Sequence, residues 1–170
     1  MASKIELKEL SIDHSQELLR PDLNKNDAEK IVLEIYGIQG RATELPGERD
    51  RNFMIHDSQD HRSILKIFNQ CEKHELLEIQ NEALERTLNA LGTGRSPELL
   101  HSSSNECLTL LNSGNGKQHW VRLVAYVEGI PMAEFTPHDK TFLLHVYDHK
   151  NNYIHTEYYL IYKIFLIFHA

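Results

Sequence analysis

The stretch Glu44-Leu45-Pro46-Gly47-Glu48-Arg49-Asp50-Arg51-Asn52-Phe53 decides how the rest of the chain is read. Pro-Gly is a turn signal, because proline presets one backbone angle and glycine accepts angles that other residues avoid. A glycine at such a turn also lets backbone N–H groups come close to an anion. Further along stands Ile64-Leu65-Lys66-Ile67, a lysine planted in an apolar strand. A long helix follows and presents Glu78 and Glu82 one turn apart on one face.

Each part has an ordinary alternative. A Pro-Gly pair is commonly just a hairpin turn, and a strand lysine commonly faces water. Glu82 is placed to pair with Arg86 one turn on, a surface interaction worth about 0.3–0.5 kcal/mol. Order and spacing carry more than any single part, because the interval from Lys66 to Glu82 leaves room for one turn and one helical approach.

Outward from that stretch the chain alternates helix and strand. Asp27 reads as the N-cap of a helix over 28–36, with Ile31, Val32 and Ile35 apolar and Gly37 as its stop. Residues 53–55 and 63–68 read as two strands joined by a polar turn. The periodicity predicts a helix over 72–91, with Leu76, Leu77, Ala83, Leu84, Leu88 and Leu91 recurring at helical spacing and Gly92 closing it. Residues 98–101 and 107–111 are short strand candidates, and 112–116 is a hairpin turn. Residues 119–127 alternate as a strand, with Val121, Leu123, Ala125 and Val127 on one face, and Gly129-Ile130-Pro131 ends it. Helices packed on an antiparallel sheet give an α+β fold.

A chain of 170 residues with a net charge of −7 is about one domain, and no Lys/Arg block points to nucleic acid or an anionic membrane. The N-terminus lacks a secretory pattern, and the apolar run 158–168 is too short to span a bilayer, which needs about 20 residues. A soluble cytoplasmic protein is the expectation. Cys71 and Cys107 form no framework or zinc motif and read as reduced, buried or half-buried thiols.

Phosphoryl transfer needs a glycine-containing loop over the phosphates, a strand lysine on phosphate oxygens, and a helix acid to orient that lysine. The 44–53 stretch resembles the G-E-R-D-x-N-F segment of aminoglycoside phosphotransferase-like kinases, a group that also takes in the choline kinases. The hydroxylysine kinase branch and its bacterial relatives fused to aminotransferases are more similar still. Ile64-Leu65-Lys66-Ile67-Phe68-Asn69, Glu78-Ile79-Gln80-Asn81 and Trp120-Val121-Arg122-Leu123-Val124-Ala125-Tyr126-Val127-Glu128-Gly129 fit the same branch. The resemblance covers about 28–137. It implies a protein-kinase-like N-terminal lobe, in which Gly47 to Asn52 cover the phosphates and Lys66 holds them. Glu82, or failing that Glu78, would be the helix partner. Ala125 to Gly129, with Ala125 and Val127 foremost, would be the hinge whose backbone reads the base edge, while Arg122 supports the strand. It further implies GTP or ATP with Mg2+ as cofactor, and a small amine-bearing substrate whose hydroxyl accepts the phosphate.

The family's second lobe would follow the hinge with a His-Gly-Asp segment, an Asn and a metal-binding Asp. Neither His138-Asp139 nor His145-Val146-Tyr147-Asp148 with Asn151 and Asn152 matches that pattern, so no catalytic or metal-binding residue is assigned. Residues 141–170 are rich in Tyr, Phe, Ile and His and have no Gly or Pro. The expected division is an N-terminal extension over 1–26, a kinase-like lobe with hinge over 27–137, and an atypical tail over 138–170. On this reading the chain is truncated, with its C-terminal lobe missing. It would be inactive alone and prone to self-association through an exposed lobe face. A non-catalytic nucleotide-binding or interaction module is the alternative.

Overall fold

The computed structural model describes residues 20–129 apart from 115. Residues 1–19 and the tail, with its His/Asp/Asn sequences, lie outside the described residues. The chain runs α1 Lys25–Tyr36, β1 Gly40–Leu45, β2 Arg51–Asp57, β3 Arg62–Ile67, α2 His74–Leu91, β4 Leu99–Leu100, β5 Thr109–Asn112 and β6 Gln118–Ala125. The described strands form one antiparallel sheet in the order β1-β2-β3-β6-β4, with β5 also on β6.

Helix α1 starts earlier than its pattern predicts. Asn24 is the N-cap, accepting from the N–H groups of Asn26 and Asp27, while the Asp27 carboxylate accepts from the Asn24 N–H. Asp27 is thus the third residue of a capping box rather than the cap. Gly37 ends the helix at φ 68°, the left-handed angle that glycine adopts without strain. Residues 20–26 belong to the packed unit: Pro21 accepts from Arg51 Nε at 2.9 Å, and Leu23 packs on the core.

The sheet is covered on both faces. Cross-strand partners share a face, so the rung Phe53–Leu65–Leu123 turns one way with Ile55, Ile67 and Val121. These pack under Ala28, Ile31, Val32 and Tyr36 of α1. Ile64 and Val124 turn the other way and meet Ala83 and Leu84 of α2, with Leu99. Phe68, Leu77, Leu108 and Trp120 form a third cluster at the start of α2. Because both faces are covered, Val121 to Val124 are all buried and β6 is not the half-exposed strand that its alternation suggests. In α2 the inward face is Leu77, Asn81, Ala83, Leu84 and Thr87, and Leu76 is half exposed rather than core.

Candidate functional site

The β2–β3 and β3–β6 registers place Asn52, Lys66 and Arg122 directly opposite one another. Three polar side chains therefore stand in one row, on the face that α2 covers, and all three are buried at 3%, 2% and 1% exposure. Burying such groups is costly without partners, and the partners come from the loop and from the helix.

The loop 46–50 closes over the Asn52 and Lys66 side of the row. Asn52 Nδ2 donates to the Pro46 carbonyl at 3.3 Å, and Asn52 Oδ1 is buried without a hydrogen-bond partner. A Cβ on Gly47 would lie 2.8 Å from both Asn52 Nδ2 and the Asp50 carbonyl oxygen, so glycine is required here by close approach. Asp50 folds inward: one carboxylate oxygen is 3.0 Å from Lys66 Nζ, and the other accepts from the Asn69 N–H at 2.8 Å. The loop thus lies on the lysine's side of the sheet. Burial pushes the Lys66 ammonium below its ordinary pKa, and Asp50 opposes that push.

Arg122 ties the same row to α2. Its Nη1 donates to Asn81 Oδ1 at 2.7 Å and its Nη2 to Gln80 Oε1 at 3.3 Å. Burial lowers its pKa to about 10. The Phe68 ring lies 5.0 Å from the Arg122 guanidinium carbon and 5.2 Å from Lys66 Nζ, so one aromatic serves both cations.

Glu82 and Glu78 do not supply the carboxylate beside Lys66. Glu82 pairs with Arg86 at 2.6 Å, and Glu78 sits 3.4 Å from His74, with side chains 61% and 51% exposed. The helix is rotated so that the amides Gln80 and Asn81, not the acids, face the sheet. Asp50 is the residue that motif reading passed over, although it lies inside the stretch that decides the fold. The register brings it near: with Asn52 opposite Lys66, Asp50 is two residues away from that rung.

At the other end of β3, Ala125 is opposite Ser63. Three rungs separate it from Arg122, about 10 Å at strand spacing. The Ala125 N–H donates to the Glu98 carbonyl and the Tyr126 N–H to the Arg62 carbonyl, so both are engaged within the lobe. Val127 is half-buried. Arg62 pairs with Glu128 and lies over the Tyr126 ring at 4.7 Å. A concavity of about 490 Å³ opens here between Ile38, Leu100, Tyr126 and the turn Asp57, Asp60, His61. It does not include Gly47, Asn52 or Lys66. Cys71 is exposed rather than buried, and Cys107 is half-buried with its sulfur 3.1 Å from His101 Nε2.

No protein-family model matches the chain, and no curated protein matches it. Solved structures do. A microcompartment-associated aminopropanol kinase matches with TM-score 0.53 and 16% identity, over 65% of this chain and 34% of that one. The amicoumacin kinase hAmiN, solved with AMP-PNP, Ca2+ and Ami, matches with TM-score 0.53 and 15% identity, over 66% of this chain and 34% of that one. The chain therefore spans about a third of the length of these neighbours. Its described part has the kinase-like N-terminal-lobe fold: an antiparallel sheet of six strands with two helices. Among the described residues no helix is long and apolar enough to cross a membrane, and no group of three or more His, Cys, Asp or Glu is gathered to hold a metal.

Proposed function

We propose that the chain is the nucleotide-binding lobe of a small-molecule kinase of the aminoglycoside phosphotransferase-like family, hydroxylysine kinase branch. The supporting observation is Lys66, a buried ammonium beneath the Gly47 loop with an acid beside it. A buried charge kept under a tight glycine turn suits a phosphate oxygen better than it suits a structural role, because a methionine of similar length would fill the same space at lower cost. The span of about 10 Å from Lys66 to Ala125 suits a nucleotide laid along β3 with its base at the hinge.

In this reading the Gly47 loop brings backbone N–H groups over the phosphates, and Lys66 neutralises one of their oxygens. Ala125 and Val127 would meet the base edge through backbone groups. GTP or ATP would arrive with Mg2+, which supplies further charge on the phosphates. Lys66 is a positive charge that this lobe brings to the phosphates. An enzyme acting on a small amine with a hydroxyl group fits one neighbour's name, since aminopropanol is such a compound.

The test is a thermal-shift titration with Mg2+ and GTP or ATP. Nucleotide at a hundred times its Kd stabilises a folded protein by about 2.7 kcal/mol. A clear shift that Lys66→Ala removes is expected. The same shift in wild type and Lys66→Ala, or none at millimolar nucleotide, would sink the reading.

A further inference from the structure

A strand lysine that holds phosphate must itself be aimed, and the acid that aims it is usually sought on the neighbouring helix. Here α2 turns two uncharged residues inward, Gln80 and Asn81, and commits them to Arg122. Its acids face solvent. The carboxylate against Lys66 comes from the loop.

We infer that Asp50 is the positioning acid for Lys66, so that the loop covering the phosphates and the group that aims the lysine are one segment. The inference rests on the proposed phosphate-binding role of Lys66. Asp50 is held for this task at both oxygens, one on Nζ and one on the Asn69 N–H. Asn69 is fully buried, and its own side-chain oxygen accepts from the Cys71 N–H at 2.9 Å. The Asp50 side chain is 16% exposed, against 23% for Glu72, which pairs with Arg49 at 3.7 Å, 51% for Glu78 and 61% for Glu82. A charge pair is stronger out of water than in it, so the least exposed acid controls the ammonium. An ammonium has three donors, and can serve a carboxylate and a phosphate oxygen together. Lifting the loop would then turn the lysine away, and seating a phosphate would draw both down.

The decisive measurement is the side-chain NMR titration of Lys66 in wild type, Asp50→Asn, Asp50→Glu and the double variant Glu78→Gln/Glu82→Gln, without nucleotide. Asparagine keeps an acceptor for the Asn69 N–H while removing the charge. Asp50→Asn should move the Lys66 titration to lower pH; Asp50→Glu and the helix double variant should leave it near wild type. Nucleotide titrations should then show Asp50→Asn binding about tenfold more weakly or worse, with the helix variant unchanged. A Lys66 titration that ignores Asp50→Asn, or follows the helix double variant, overturns the inference. So does tighter nucleotide binding by Asp50→Asn, which would make Asp50 a competing anion. Should Asp50→Asn move Lys66 while wild type binds no nucleotide, the pairing stands and the phosphate reading falls.

Discussion

Asn52 stands directly opposite Lys66 in the β2–β3 ladder, and the two side chains fasten opposite ends of one loop. The Asn52 amide holds the Pro46 carbonyl at the loop's entry, while the Lys66 ammonium holds the Asp50 carboxylate at its exit. Between them Gly47 has no room for a methyl group.

Gly47→Ala should therefore strain the loop. One of the two atoms in the way is a backbone oxygen that cannot rotate aside. Overpacking of this kind costs about 1–3 kcal/mol. Urea denaturation measures it, and a variant as stable as wild type would show that the loop is slack.

Arg122 and Asn81 should be energetically coupled. Their 2.7 Å hydrogen bond is buried, and each single truncation leaves the other group without its counterpart. Arg122→Ala, Asn81→Ala and the double variant should give an interaction energy of about 0.5–3 kcal/mol in a thermodynamic cycle. Additive losses would place the link between α2 and the sheet elsewhere.

Leu77 and Leu76 are adjacent in sequence but should differ sharply. Leu77 is fully buried against Phe68 and Leu108, while Leu76 is 50% exposed. Leu77→Ala should cost about 2–5 kcal/mol through the cavity it leaves. Leu76→Ala should stay within about 0.5 kcal/mol. Chemical denaturation of the two variants checks the rotation of α2 directly.

Lys66 should leave a signature on stability at alkaline pH. Its burial lowers the folded-state pKa, so between that pKa and the unfolded value near 10.5 the unfolded chain binds more protons. Stability from this group therefore rises with pH across that window and is flat below it. Denaturation curves of wild type and Lys66→Met, compared from neutral pH upward, should converge in the wild type's favour as that window is entered. A difference that moves the other way would mean that Lys66 is not buried as a cation.

The sheet's interior was legible in the sequence because its strands are apolar and its long helix is periodic. Residues 53–55 and 63–67, the body of α2 and the 119–125 strand all stand where their patterns put them. Strand β1 was not, because it is an edge strand that buries only Ala42 and shows Arg41, Thr43 and Glu44 to solvent. Polar edges look like loops when read alone. The rotation of α2 was also hidden. Its inward face carries Asn81 and Thr87 beside Leu77, Ala83 and Leu84, while Leu76 and Ile79 face out, so the apolar pattern marks only part of the true interface. Glu82 and Glu78 lie on the exposed side of the same helix. Lys66 itself was found from its apolar neighbours. Its acid was not, because the Asp50 contact depends on how a loop folds back, which no local pattern encodes.

The tilted stack of His74 on Trp120, with ring centroids 4.5 Å apart, gives the lobe an optical gauge. Trp120 is the sole indole in the chain and touches the first turn of α2. Its emission will therefore report any swing of that helix away from the sheet, undiluted by other fluorophores of its kind. That offers a label-free way to follow the helix.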